Sequence, residues 1–293
     1  MKKVLLVFAL LCTVITPAHA DVQPSIAVID TGFNTSLFGS SVVAEACFVE
    51  YFTCPNGKQS MEGTGAAVLP TFTSTTLDHG TQMISIIKKV NPSANLVLVR
   101  IVGVSPTGLQ GLYTNKAVKM GLDWVIANRT KYNIQVVNVS QGAVLAGCQV
   151  PAGTAEDVAA LKAVNVPVIA ATGNVSNRTA INSIACLPDV VSVGATDNPD
   201  PGTTGKAYDP TAKPYIARYS NGNSTVDFYL NGRWYVTNYN GTTKFMVGTS
   251  NATASLSAWW LLNKKETFDA TYSSFVTTTA SNDWLTGRYI AIP

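Results

Sequence analysis

The chain has 293 residues, with 20 basic against 17 acidic, and a formal net charge of +3 that gives nucleic acid or an anionic surface nothing to hold. Charged residues make up 13% of it, about half the usual share, while Thr, Ser and Asn are abundant, which fits an extracellular surface. Its length suffices for one large core, or at most two.

Residues 1 to 20 read as a secretory signal peptide. Lys2 and Lys3 precede an apolar run from Val4 to Ile15, and Ala18-His19-Ala20 supplies small residues before a cut. The run is too short to span a bilayer, and no second one follows. The expectation is an exported chain, periplasmic or extracellular, starting near Asp21 and free of the membrane once the signal is removed. Without Lys2 and Lys3 the balance is 18 basic to 17 acidic residues.

Of five cysteines, Cys12 lies in the signal, leaving Cys47, Cys54, Cys148 and Cys186. In an exported chain four cysteines read as two disulfides. Three connectivities are possible, and the short spacing favours Cys47 with Cys54 and Cys148 with Cys186. A zinc site is the weaker reading, since no His lies near any of them. His19 is in the signal too, so any imidazole chemistry of the mature chain falls to His79.

Along the chain, Ser25 to Ile29 is an apolar, β-branched run ending in Asp30-Thr31-Gly32, a buried strand followed by a turn. Residues 34 to 77, rich in Gly, Ser, Thr and Pro, read as irregular loop with one or two short strands. His79-Gly80-Thr81 opens a helix carrying Met83, Ile84, Ile86 and Ile87 and closing on Lys88 and Lys89. Further strands are expected over 95 to 101, 134 to 139, 166 to 171 and 190 to 194, and helices over 114 to 127 and 155 to 164. This alternation predicts an α/β fold in three layers, a mostly parallel β-sheet with helices on both faces. Beyond Tyr208, Asn221-Gly222 and Asn240-Gly241 suggest hairpins. Asp197-Asn198-Pro199-Asp200-Pro201 reads as a solvated turn, and the tail from Thr267 as short strands and turns on the same body. No linker or repeat divides residues 21 to 293.

Lys244 to Leu262 contains small residues around Ser250, then Ala252, Leu256, Trp259 and Asn263 at helical spacing. Ser250 is therefore expected in the first turn of a buried helix, where unpaired N–H groups favour negative charge. In a sheet of βα units the carboxyl ends of strands and the amino ends of helices share one edge. Asp30 and Asn174 end strands; His79 and Ser250 begin helices. A Ser nucleophile, a His base, a carboxylate to orient it and an amide for the oxyanion are the parts of acyl transfer. Their order, Asp, His, Ser, excludes an α/β-hydrolase, which places its His last.

The motifs resemble those of the subtilisin-like serine peptidases: Val28-Ile29-Asp30-Thr31-Gly32, His79-Gly80-Thr81, Ala170-Ala171-Thr172-Gly173-Asn174 and Gly248-Thr249-Ser250, in that order. Val137 to Gly142 is similar to the family's substrate-pairing strand, and Val191 to Ala195 and Tyr219-Ser220-Asn221 fall in the expected order. The resemblance implies Asp30 as orienting carboxylate, His79 as general base and acid, Ser250 as nucleophile and Asn174 as oxyanion donor. It further implies that Ser140, Gln141 and Gly142 offer backbone groups to an extended peptide, and that Ala170, Ala171, Thr172 and Gly173 line the pocket beside the scissile bond.

Three departures stand out. Asp30 follows Asp21 by nine residues, leaving no room for the family's usual pro-segment. Asn251-Ala252-Thr253-Ala254 replaces the usual Met-Ala-Thr-Pro. Val90 to Ala94 runs straight on to the next strand where the family's calcium loop usually intervenes, so no metal site is expected, and no cofactor. The expected activity is a monomeric, exported serine endopeptidase acting on extended polypeptide substrates. The alternatives are a catalytically weak or inactive binding module of the same fold, and a hydrolase of small esters.

Overall fold

The computed structural model describes residues 23–69, 77–105, 111, 113–143, 147–197 and 213–292. The expected signal peptide lies outside them, as does most of the Asp197 to Pro201 cluster.

Seven strands run parallel in the spatial order β2 (Val42–Phe48), β4 (Asn95–Arg100), β1 (Ser25–Asp30), β5 (Ile134–Val139), β6 (Val168–Ala171), β7 (Val190–Asp197) and β9 (Phe228–Asn231). β3 (Ser60–Glu62) adds antiparallel to β2. β8 (Tyr215–Ile216), β12 (Thr278–Ser281) and β13 (Thr286–Tyr289) extend the far side. The chain builds outward from β1 in both directions, so the strand order reverses beside it. At such a reversal the loops leaving neighbouring strands part, and a crevice opens at their carboxyl ends.

Strand side chains alternate between two cores. Ala27 and Ile29 of β1, with Val97, Val99, Val137 and Val139, face α2 (Asn115–Asn128) and α3 (Thr154–Ala163). Ile26 and Val28, with Leu96, Leu98 and Val136, face α1 (His79–Val90) and α4 (Thr249–Asn263). The period of two that makes β1 apolar on both faces therefore puts Asp30 on the α1 and α4 side.

α4 is buried from Thr249 through Ala258. Ala252, Ala254 and Ala258 let it lie close to the sheet, and its hydroxyls are satisfied internally. Thr253 donates to Thr249 O at 2.8 Å, and Ser257 donates to Thr253 O at 2.9 Å and to Asn138 Oδ1 at 3.0 Å.

Several expectations are corrected. Residues 34 to 77, read as irregular loop with one or two short strands, hold β2 and β3, and what the reading missed is that β2 is a seven-residue member of the parallel sheet. Its Glu45 and small residues hide the strand pattern, and Glu45 is tolerated inside because its Oε2 accepts from the N–H groups of Gly65 and Ala67. Asn240-Gly241 does turn a hairpin, between β10 (Arg233–Thr237) and β11 (Thr243–Val247), but Asn221-Gly222 does not. Asn221 is fully buried and its side chain holds a loop instead. The tail contains a helix, α5 (Phe268–Ser274), whose Phe268 and Tyr272 stack on each other and pack at tilted angles against Trp260 of α4. Asp197 is buried and pairs with Arg233 at 2.6 Å, so it is not part of a solvated turn. The disulfides join Cys47 to Cys54 and Cys148 to Cys186, the favoured pairing.

The first turn of α1 lies directly on the end of β1. A Cβ at Gly80 would come within 2.4 Å of Gly32 O and 2.8 Å of the Phe33 ring. Gly80→Ala should destabilise the protein by about 1–3 kcal/mol through overpacking, seen as a lower midpoint in thermal or urea unfolding.

Candidate active site

Asp30 closes β1 with no exposure to water and accepts from Thr31 N–H at 2.7 Å. The Thr31 hydroxyl donates to Leu77 O at 3.0 Å and accepts from Gly80 N–H at 3.2 Å, which fixes the start of α1 to the end of β1. That clamp delivers His79, whose Nδ1 lies 2.8 Å from Asp30 Oδ1 and 3.0 Å from Oδ2. The His79 side chain keeps 18% of its surface exposed, so one edge of the ring faces the cleft while the other is held by a buried carboxylate.

Ser250 is the second residue of α4 and nearly buried. Its hydroxyl donates to Ser140 O at 3.2 Å, and the Ser140 hydroxyl donates in turn to Ser250 O at 3.3 Å. This reciprocal pair ties the start of α4 to the residue just beyond β5. Being in the first helical turn, Ser250 N–H has no intrahelical acceptor.

Asn174 follows β6 on an exposed loop. Its Oδ1 accepts from Thr249 N–H at 2.9 Å and from the Thr249 hydroxyl at 3.0 Å, which leaves the amide N–H groups to point elsewhere. A Cβ built on Gly248 would sit 3.5 Å from Asn174 Nδ2 and 3.8 Å from Ser250 N. Asn174 Nδ2 and Ser250 N–H therefore both lie near Gly248, at the start of α4.

His79, Ser250 and Asn174 open on one cavity of about 820 Å³, which also includes Ser140, Gln141, Gly142, Ala171 and Gly173, while Asp30 lies buried behind His79. Ala170 and Thr172 do not line it. Ala170 packs in the core on the α2 and α3 side, and the Thr172 hydroxyl donates to Asn221 O at 2.9 Å. Gly173 has φ +103°, and a Cβ there would lie 2.3 Å from Asn221 Nδ2, so only glycine fits. Among the described residues no group of three or more His, Cys, Asp or Glu could hold a metal ion. Likewise no helix there is long and apolar enough to cross a membrane.

A profile described as the Subtilase family matches residues 22–283. The chain belongs to the subtilase family. An extracellular serine proteinase of Thermus sp. (strain Rt41A) is 31% identical over 150 residues, 49% of this chain and 30% of that protein, so the match spans less than a third of the relative's length. Among solved structures, Sphericase aligns with a TM-score of 0.68 at 18% identity, over 92% of this chain and 91% of that one. A cold adapted subtilisin-like serine proteinase aligns at 0.65 and 22% identity, over 92% and 89%. Their likeness shows the subtilase fold.

Two polar residues of this subtilase's cavity, Asn182 and Tyr113, escape sequence reasoning, and a third, Gln141, contributes a side chain where only its backbone was expected. Asn182 lies between Gly142 and Gly173, with Cβ positions on those glycines falling 3.1 Å from its Cβ and 2.9 Å from its Oδ1, and its amide donates to Ala171 O at 3.0 Å. Tyr113 donates its hydroxyl to Gly142 O at 3.0 Å, and burial raises the phenol above its ordinary value, keeping it a donor. Neither sits in a recognisable motif. The third is Gln141, expected to contribute backbone only, whose side chain turns inward to Asp30. Ser183 N–H donates to Ala143 O at 2.9 Å, and the Cys148–Cys186 bridge joins the same two walls.

Asn221 holds the loop bearing Asn174. Its Oδ1 accepts from Val175 and Asn177 N–H at 3.0 and 2.9 Å, and its Nδ2 donates to Thr172 O at 2.9 Å. Asn221→Ala should leave these backbone groups unpaired and cost about 2 kcal/mol or more. Faster proteolytic nicking or hydrogen exchange confined to residues 172–177 would be the local readout.

Proposed function

We propose that this subtilase is an exported serine endopeptidase that cleaves extended polypeptides through an acyl-enzyme. The observation that carries the proposal is that His79 and Ser250 line one cavity, with the buried Asp30 carboxylate behind the imidazole, 2.8 Å from His79 Nδ1. Export is supported by the two disulfides and by the extracellular relative.

In this reading the Ser250 hydroxyl turns from Ser140 O to the free imidazole nitrogen, and such contacts often tighten only once substrate is bound. His79 takes the proton as Ser250 Oγ attacks the peptide carbonyl. Asp30 keeps the imidazole's other nitrogen protonated and offsets the positive charge that forms. Asn174 Nδ2 and Ser250 N–H hold the oxyanion, a donor of that kind being worth about 3–4 kcal/mol of barrier. The protonated His79 then gives its proton to the leaving amine, and water activated by the same imidazole releases the acyl group.

The substrate is read as an added strand along Ser140 to Gly142. An incoming N–H aimed at Gly142 O meets the Tyr113 hydroxyl already bonded there and must share or displace it. Asn182 narrows the recess between Gly142 and Gly173 and gives it a polar floor, which favours small or polar side chains beside the scissile bond.

The rival reading, a silent fold kept for binding, draws on the Ser250 hydroxyl being bonded to Ser140 O instead of His79. A serine-directed phosphonate should label the wild type and leave Ser250→Ala unlabelled; label on the mutant would overturn the assignment, and none on the wild type would favour the silent fold. Asn182→Ala should admit larger side chains at the cleaved position, with peptide-library profiling as the measurement. An unaltered profile would remove Asn182 from the recognition surface.

A further inference from the structure

The geometry points to Gln141 as a positioning residue that orients the Asp30 carboxylate and so steers the His79 imidazole onto one oxygen. This rests on reading Asp30, His79 and Ser250 as the hydrolytic triad. Strand-like alternation beyond β5 leaves the backbone of residues 140–142 at the cleft, while the Gln141 side chain is buried. Its Nε2 donates to Asp30 Oδ1 at 3.1 Å and lies 2.9 Å from His79 Nδ1.

The orientation of the amide follows from its neighbours. The exchanged amide would accept from His79 Nδ1–H at 2.9 Å but set its oxygen 3.1 Å from a buried carboxylate oxygen; we place the nitrogen toward Asp30 because a donor to the buried charge outweighs a neutral hydrogen bond. The tautomer follows in the same way. An unprotonated Nδ1 would face the carboxylate lone pair to lone pair at 2.8 Å, so Nδ1 carries its proton.

A carboxylate oxygen offers two lone-pair directions. On Oδ1 they are taken by Thr31 N–H at 2.7 Å and Gln141 Nε2 at 3.1 Å. His79 Nδ1 spans both oxygens, 2.8 Å from Oδ1 and 3.0 Å from Oδ2, and among the described residues no other donor reaches Oδ2. Two N–H donors as close as Gln141 Nε2 and His79 Nδ1 repel each other, which turns the imidazole proton away from the crowded oxygen and toward Oδ2. The plane of the carboxylate, and with it the direction of the far imidazole nitrogen, is then set by a side chain that touches no substrate.

Other charged and titratable groups surround the pair. Arg100 faces Asp30 across the β1–β4 register, but its guanidinium donates to Val102 O and Val68 O. Asp78 precedes His79, its carboxyl raised by burial, with Tyr239 and Lys244 of the β10–β11 hairpin facing it. Tyr113 is spent on Gly142 O. Among the described residues none of these bonds to Asp30 or His79.

Gln141→Met keeps the length and bulk of the side chain and removes its N–H groups; Gln141→Leu is the second variant should the first not fold. Phosphonate titration counts folded sites. Per titrated site, kcat should fall about tenfold, the order of one hydrogen bond to a charged group, with KM little changed. The acid limb of kcat against pH should also move to higher pH, because a carboxylate stripped of a donor holds the imidazolium more firmly. A purely packing role would not move that limb. Wild-type kcat and acid limb in a titratable variant overturn this inference alone, whereas a wild type that takes no phosphonate overturns the triad reading and this inference with it.

Discussion

A carboxylate with no exposure to water must find its donors inside the protein, and Asp30 is the point on which three separate elements therefore converge. Thr31 follows it on β1, His79 opens α1, and Gln141 stands beyond β5. Each donor lowers the cost of burying the charge, and each thereby fixes the position of the element that carries it. The start of α1 and the exit of β5 are located relative to β1 by the same group that the proposed chemistry uses.

The sheet makes that convergence possible. Because the strand order reverses beside β1, the exits of β1 and β5 part at the carboxyl edge, and helices entering from the α1 and α4 side put their amino ends there. α4 could not reach that position with bulky side chains. Its alanines permit the approach, and its Thr253, Ser255 and Ser257 hydroxyls bond to its own preceding turn or to Asn138 instead of to water. The residue after Ser250 follows the same logic: Asn251 donates to Gly232 O at 2.9 Å and Met246 O at 3.1 Å, pinning the hairpin to the helix start.

Four side-chain amides hold the walls of the cleft. Asn174 is fixed by Thr249, the loop after β6 by Asn221, the recess between Gly142 and Gly173 by Asn182, and the carboxylate by Gln141. Amides carry no charge and offer donors and acceptor together, so they can pin backbone without adding a second field to a site whose proposed chemistry depends on one carboxylate and one imidazole.

What the sequence determined by itself is the local pattern. β-branched runs marked β1, β4 and β5, helical periodicity marked α1 and α4, and a lone imidazole in residues 21 to 293 left one candidate base for one candidate nucleophile. Spacing alone favoured the disulfide pairing that the structure contains. The tertiary structure decided what no local window contains. Glu45 and small residues disguised β2 until the loop N–H groups that satisfy that carboxylate were in place. Gln141 looked like backbone for a substrate because its partner Asp30 is 111 positions away, and Asn182 and Tyr113 belong to no motif until Gly142 and Gly173 fold against them. Periodicity reports which face of an element is buried; which polar atom meets which depends on contacts between distant segments, and those exist only in the folded chain.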